Sequence, residues 1–200
     1  WAKEQGVVGV FFRGMEGNLT LDNPQLHPVY AQAEQLDLTI CIHTGSGSRH
    51  LMQPFDVERN HTFAHNRVLP VVAFRDLVAN RIPELFPKLR FGFIEAAASW
   101  VPYIWHVLRR SVRPDFKTKN PQDLFREYRF WIACEADEEL PHLLSYIGED
   151  HIVIGSDYGH NDPSKEPDFV RNMRAREDVS LVVIEKILCQ NPRKLYGVKA

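Results

Sequence analysis

Two short apolar segments, each leading into a residue that can bind a metal ion, constrain the fold of this chain more than any other feature. The first runs from Leu38 to His43, and the second begins at His151 and leads through Gly155 to Asp157. Strands that are covered on both faces read as continuous apolar runs rich in β-branched residues. The two segments therefore predict a parallel sheet with its reactive side chains at the carboxyl ends of the strands.

The size and charge of the chain exclude several classes of protein. Its 200 residues suffice for one substantial core, and we expect a single domain over residues 1–200. The net charge is −2, and no block of Lys and Arg resembles a nucleic-acid-binding arm. An apolar run of about 18 residues is absent from the sequence, so we expect no contact with a membrane. The three cysteines form no CxxC pair, which favours a reducing, cytoplasmic environment.

Strand-like and helix-like segments alternate along the chain. The strand-like segments are apolar and β-rich, and they occupy residues 6–12, 38–43, 89–94, 130–134 and 151–154. The helix-like segments have apolar residues at every third or fourth position, and they occupy residues 22–36, 69–82, 100–112, 140–147 and 181–188. This alternation predicts an α/β fold built from βαβ units with right-handed crossovers.

Two architectures have this alternation, a doubly wound open sheet and a (β/α)8 TIM barrel. The segment that starts at Gly45 lacks the glycine spacing of a dinucleotide or phosphate site, which weakens the doubly wound interpretation. A complete barrel has eight strands and about 250 residues. We therefore expect this chain to contain roughly strands 4–8, with three units before Trp1. Such an arc has two free strand edges and an apolar inner face, so the segment alone should be unstable or should assemble with another chain.

The ends of the predicted strands bring polar side chains to one rim. The residues at these ends are Arg13, His43, Glu95, Cys134 or Glu135, and Asp157. One imidazole and two carboxylates at a shared rim suit a divalent ion such as Zn, Mn or Fe. We therefore predict that His43, Glu95 and Asp157 bind one metal ion and act in catalysis.

The chain resembles a known family in three segments, and the resemblance extends over nearly all of its length. The segments are His43-Thr-Gly, Gly155-Ser-Asp-Tyr and Asn191-Pro-Arg-Lys-Leu-Tyr-Gly. They look like the amidohydrolase-related family of the amidohydrolase superfamily, in its aminocarboxymuconate-semialdehyde decarboxylase-like branch. The resemblance implies a (β/α)8 barrel with a single metal ion at its mouth.

The resemblance also implies roles for individual residues. His43 matches the metal-binding histidine of the fifth strand, and Asp157 matches the eighth-strand aspartate that acts in proton transfer. The sixth strand of the family usually ends in a histidine, whereas this chain has Glu95, and an additional carboxylate favours harder ions such as Mn or Fe. Arg13 stands at about the place where two-metal members carry a carboxylated lysine, so one metal ion is expected. The first-strand His-x-His pair of the family has no counterpart here.

Five further residues are possible substrate contacts or neighbours of the ligands. His61 and His65 have the four-residue separation of a metal-binding helix but lie in a long loop, where a solvated surface is the simpler explanation. His160 follows Asp157 closely and could hydrogen-bond to it. Trp100 could line the pocket or belong to the core, and Arg13 could form an ion pair with Glu95 across the rim.

These observations lead to two functional hypotheses. In the first, the chain belongs to an enzyme that hydrolyses a small amide, ester or lactone, or that decarboxylates a small carboxylic acid without oxidation. In the second, it is a catalytically silent barrel that acts as a binding or partner subunit, because the ligand set is incomplete. The expected partners are a small-molecule substrate and a second copy of the chain in a homodimer.

Overall fold

The computed structural model describes residues 1–45, 49–53, 68–159 and 165–199. Within these ranges, five parallel strands form the main sheet, and two very short strands form an antiparallel hairpin. The main strands are β1 (Gly9–Arg13), β4 (Thr39–His43), β5 (Arg90–Phe93), β6 (Phe130–Cys134) and β7 (Ile152–Ile154). The hairpin strands are β2 (Met15–Glu16) and β3 (Leu19–Thr20).

The order of the strands distinguishes between the two candidate architectures. The sheet order is β1-β4-β5-β6-β7, and each neighbouring pair is parallel. A doubly wound sheet reverses its strand order at a switch point, whereas a barrel adds each new strand on the same side. The described strands are added in one direction only, as in an arc of a (β/α)8 barrel.

Helices connect the strands and cover one face of the sheet. The α-helices are α1 (His27–Gln35), α2 (Arg49–Met52), α3 (Val68–Ala79), α4 (Ile82–Leu85), α5 (Val101–Val107), α6 (Pro121–Tyr128), α7 (Leu140–Ile147), α8 (Phe169–Arg174), α9 (Leu181–Glu185) and α10 (Asn191–Tyr196). Helical turns of other types occupy Lys3–Gln5, Pro24–Leu26, Leu108–Val112, Pro114–Thr118 and Lys186–Gln190. Among the described residues, no helix combines the length and the apolar character that a membrane span requires.

The main core lies between the sheet and these helices. Alternate residues of the strands, among them Ile40, Ile42, Phe91 and Phe93, are fully buried there. Because side chains alternate across a strand, the residues between them point to the other, inner face. On that face a smaller cluster forms around Trp131, Ala133, Val153 and Leu195.

The last helix closes the amino end of the inner face. The Thr39 hydroxyl and the Arg90 Nε both donate hydrogen bonds to the carbonyl of Leu195, the latter at 2.7 Å. Leu195 also packs against Gly92, where a Cβ atom would lie 3.0 Å from the leucine side chain. The amino end of the arc is therefore plugged, and the carboxyl end carries the polar side chains.

The strand predictions are confirmed within three residues at each end, and the helices at 69–82 and 140–147 are confirmed within three residues. The helix expected over 181–188 is confirmed, although its form changes: α9 ends at Glu185, and a wider helical turn leads from there into α10. The helix expected over 100–112 likewise changes to a wider turn at Leu108. The hairpin and helices α6 and α8 were not predicted.

The exposed edges and inner face generate a prediction about assembly. β1 and β7 are the edges of the five-stranded sheet, and Phe11 on the inner face is 57% exposed. We expect the 200-residue chain alone to associate as its concentration rises, because unpaired parallel edges and an apolar face favour pairing. Sedimentation velocity over a range of concentrations measures this.

Phe11→Ser should weaken the association. Tyr103→Ser, which changes a 67% exposed aromatic residue on α5, should leave it unaltered. A chain that stays monomeric and melts cooperatively at all concentrations contradicts the prediction.

Candidate functional site

His43 and Glu95 form the centre of the candidate site. His43 is the last residue of β4, and Glu95 lies two residues beyond the end of β5, the neighbouring parallel strand. The His43 Nε2 and Glu95 Oε2 atoms are 2.5 Å apart, and their side chains are 23% and 16% exposed. The carboxyl ends of these strands thus bring an imidazole and a carboxylate into direct contact in a partly shielded place.

The second ring nitrogen of His43 lies within hydrogen-bond distance of a backbone carbonyl. Nδ1 lies 3.2 Å from the carbonyl oxygen of Thr44, and the ring packs against Phe11 with the centroids 4.9 Å apart. Metal-binding histidines usually donate their other ring N–H to a carbonyl or carboxylate in this way. With Nδ1–H donated to Thr44, Nε2 faces Glu95, and a proton or a cation must lie between two atoms that both carry lone pairs.

The donor chemistry of this pair fits a divalent metal ion, although the set is small. Two ligands of one tetrahedral zinc ion, each about 2.0 Å from it, lie about 3.3 Å apart. The pair in its present form is therefore a hydrogen bond, and the two atoms would separate by less than about 1 Å to share an ion. The described residues contain no group of three or more His, Cys, Asp or Glu side chains placed to hold a metal. Joint metal binding by His43, Glu95 and Asp157 therefore stays a prediction.

Both predicted carboxylates stand in an unusual backbone conformation. The φ angles are +55° at Glu95, +53° at Ala97 and +47° at Asp157, all in the left-handed region. This region costs a residue with a Cβ atom roughly 1–2 kcal/mol. Asp157 is half-buried, and its Oδ2 atom is buried. Strained backbone persists only where the surroundings hold it, and it concentrates at functional sites.

Trp100 holds the loop that carries Glu95. Its indole N–H donates to the carbonyls of Ala96 and Ala97 at 3.0 and 2.8 Å. The ring packs edge-on against Phe74 and Phe93. Its N–H is therefore already used within the loop, and the possible substrate contact of Trp100 stays a prediction.

Glu138 holds the same loop from the other side, and sequence reasoning missed it. It is only 8% exposed, and its carboxylate accepts hydrogen bonds from the backbone N–H groups of Ala98 and Ser99. The acidic run from Glu135 to Glu139 precedes α7, and sequence alone explains such a run as a favourable helix start. No local signal connects Glu138 with the loop after β5, because its partners in that loop lie about 40 residues away.

The structure places the other predicted residues as follows. Arg13 is in register with His43 on the adjacent strand, but its guanidinium pairs with Glu16 at 3.8 Å. His61, His65 and His160 lie outside the described residues.

The cysteines near the rim are not poised as nucleophiles. Burial raises the pKa of Cys41 to about 11, and burial also raises the pKa of Cys134. Both thiols stay protonated at neutral pH, and the thiolate is the nucleophilic form. Cys41 lines a cavity of about 400 Å³ on the inner face, together with Phe11, His43 and Ile94.

Comparisons with known proteins agree with the fold described above. The amidohydrolase family model matches residues 1–198. An amidohydrolase from Mycobacterium avium subsp. paratuberculosis K-10 is 22% identical with a TM-score of 0.77, over 100% of this chain and 53% of that one. The 5-carboxyvanillate decarboxylase from Sphingomonas paucimobilis is 17% identical with a TM-score of 0.74, over 99% of this chain and 61% of that one.

A third similar structure contains a metal ion. The dihydroxybenzoic acid decarboxylase from Polaromonas sp. JS666, with bound manganese and the inhibitor 2-nitroresorcinol, is 18% identical with a TM-score of 0.71. The match covers 100% of this chain and 64% of that protein. The chain therefore spans between about half and two thirds of the length of these three proteins. The predicted (β/α)8 fold is confirmed as a partial barrel.

The strained loop generates a prediction about stability. Ala96 and Ala97 are both buried, but only Ala97 has a left-handed φ. Either change to glycine removes a buried methyl group and increases the freedom of the unfolded chain, whereas only Ala97→Gly relieves strain. We expect both variants to be less stable than the wild type. The loss in the free energy of unfolding should be about 1–2 kcal/mol smaller for Ala97→Gly than for Ala96→Gly. Denaturant unfolding of the full-length protein measures the difference, and equal losses would show that Ala97 is unstrained.

Proposed function

The chain belongs to the amidohydrolase family, and from this premise we propose that its rim is part of the active site of a metal-dependent enzyme that acts on a small organic acid, ester, lactone or amide. The contact between His43 Nε2 and Glu95 Oε2 carries the proposal. An imidazole and a carboxylate meet at the carboxyl end of parallel strands, where barrel enzymes place their chemistry. The left-handed conformations of Glu95 and Asp157 support it, because backbone strain concentrates at functional sites and both of these residues carry a carboxylate at that end.

His43 and Glu95 would hold the divalent ion in this proposal, with Asp157 at the same rim. The bound ion supplies Lewis-acid stabilisation of charge that develops on a substrate carboxylate or carbonyl oxygen. Thr44 orients the imidazole through its carbonyl, so that Nε2 points towards the site. Glu95 makes the site more anionic than a histidine would, which favours Mn or Fe over Zn.

Asp157 is the proposed proton carrier. In decarboxylation, the bond between the substrate carbon and its carboxylate breaks, CO₂ leaves, and the bonding electron pair stays on the carbon. The carboxylic acid of Asp157 would donate a proton to that carbon and then take another from solvent. In hydrolysis, the Asp157 carboxylate instead takes the proton of the attacking water. Both reactions place the same demand on this residue, which is a carboxyl group held at the rim.

Of the candidate reactions, the proposal favours decarboxylation of a small aromatic or unsaturated carboxylic acid. Two of the similar structures above are decarboxylases of aromatic acids, and one of them holds manganese. An open hollow of about 400 Å³ on the inner face lies next to His43, and its mostly apolar lining includes Phe11 and Ile94 and extends to Gly6 and Tyr196. Small-molecule sites of this size are typically apolar with a few polar groups that fix the orientation of the ligand.

The decisive variant is Asp157→Asn in the full-length protein. Because the amide cannot carry the proton, turnover of the substrate should fall at least about 100-fold. Asp150→Asn is the matched control, since Asp150 precedes the same strand at its opposite end and pairs with Lys194 at 2.9 Å. It should leave turnover unchanged. Metal content is measured by elemental analysis, and CO₂ release and ester, lactone or amide cleavage are assayed in parallel.

Several results would contradict the proposal. Unchanged turnover in Asp157→Asn would remove its proton-transfer role. A full-length protein that holds no metal and turns over none of these substrate classes would instead favour the catalytically silent barrel.

A further inference from the structure

The buried carboxylate of Glu138 receives hydrogen bonds from two consecutive loops at the rim. Its Oε1 accepts from the Ala98 N–H at 2.9 Å, the Ser99 N–H at 2.7 Å and the Ser99 hydroxyl at 2.5 Å. Its Oε2 accepts from the Glu135 N–H at 2.9 Å and from the Ala98 N–H at 3.1 Å. Ala98 and Ser99 follow β5, and Glu135 follows β6. One side chain therefore joins the ends of two neighbouring strands.

The loop after β5 is the one that carries Glu95. Glu95 and Ala97 both stand in the left-handed region, which residues with a Cβ atom rarely adopt. The hydrogen bonds from Ala98 and Ser99 to Glu138 begin at the residue directly after Ala97. A loop released from these bonds would relax towards ordinary φ values, and such a relaxation would turn the Glu95 carboxylate away from His43.

We infer that Glu138 is a positioning residue: its carboxylate holds the loop after β5 in the conformation that keeps Glu95 against Nε2 of His43. The inference deepens the proposed function, because it rests on Glu95 being one of the groups that act at the rim. Glu138 acts through the backbone, because its carboxylate accepts hydrogen bonds from the N–H groups of Ala98, Ser99 and Glu135.

The role requires a carboxylate and not merely a polar side chain. A carboxylate offers two oxygen acceptors, and here the partners are three backbone N–H groups and one hydroxyl. A glutamine offers one oxygen acceptor and a donor NH₂ group. In Glu138→Gln, at least one backbone N–H would face another donor, so one of the two loops must move.

The neighbouring acidic residue provides a matched control. Glu139 lies in the same acidic run before α7 but is exposed. Glu139→Gln removes the same charge from the start of the same helix without touching the loop after β5. If the acidic run only stabilised α7, Glu138→Gln and Glu139→Gln would have the same effect on the loop after β5. If Glu138 positions that loop, only Glu138→Gln would alter it.

The test uses the full-length protein and two readouts that do not depend on turnover. Hydrogen exchange at the Ala98 and Ser99 amides reports the bonds to Glu138, and the ¹⁵N resonance of His43 Nε2 reports its contact with Glu95. Glu138→Gln should speed exchange at both amides about tenfold or more and shift the His43 resonance. Titration with Mn²⁺ alone should show an affinity that is lower by roughly 10- to 100-fold. Glu139→Gln should match the wild type in all three measurements.

Two further variants keep the inference testable if Glu138→Gln folds poorly. Ser99→Ala deletes only the hydroxyl donor and should shift the His43 resonance in the same direction by a smaller amount. Ala97→Gly makes the left-handed conformation easy for the backbone, so adding it to Glu138→Gln should move the His43 resonance back towards the wild-type position. A general loss of stability would not be reversed by this change.

The outcomes separate the inference from the proposed function. If exchange and the His43 resonance stay at wild-type values in both Glu138→Gln and Ser99→Ala, or if Glu139→Gln has the same effect as Glu138→Gln, the positioning role is overturned. If the wild type binds no Mn²⁺ while Glu138→Gln still shifts the His43 resonance, the metal-dependent function fails and the positioning of Glu95 stands.

Discussion

The contact between His43 and Glu95 depends on one geometric constraint, which is that β4 and β5 are adjacent and parallel. Parallel neighbours end on the same side of the sheet, so a residue at the end of one strand meets a residue just beyond the end of the next. His43 ends β4, and Glu95 follows β5 by two residues. All neighbouring strands of the sheet are parallel, which places all five carboxyl ends at the same edge. His43 and Glu95 are about 50 positions apart in the sequence, and the pairing of β4 with β5 brings them together.

The backbone conformation of the loop after β5 is intrinsically unfavourable, and tertiary hydrogen bonds stabilise it. Two left-handed residues in the loop after β5 together disfavour the observed conformation by roughly 2–4 kcal/mol. Hydrogen bonds to a charged carboxylate contribute about 1.5–3 kcal/mol each, and Glu138 accepts them from two residues of the loop. The indole N–H of Trp100 also donates hydrogen bonds to the carbonyls of Ala96 and Ala97 in this loop. The loop is therefore held by hydrogen bonds to both its N–H groups and its carbonyls, as a strained conformation requires.

The regular elements were easier to predict than the connections between them. The apolar runs at 130–134 and 38–43 predicted β6 and β4 almost to the residue, because a strand buried on both faces needs apolar side chains throughout. Helix α6 was missed although Asn120 and Pro121 form a recognisable start, with the Asn120 side chain accepting from the Gln122 N–H. The hairpin of β2 and β3 has only two residues in each strand, which is too short for alternation to be visible.

By itself, the sequence determined the α/β alternation, the parallel sheet and the polar residues at the strand ends, since these follow from local periodicity and from the position of each residue relative to its own strand. It also led to His43, Glu95 and Asp157 as candidates. Only the tertiary structure decided that His43 and Glu95 touch, that Arg13 pairs with Glu16 and not with Glu95, and that a buried Glu138 fastens the loop. Those facts depend on side chains and loop conformations brought together from distant parts of the chain, and no spacing within a single segment encodes them.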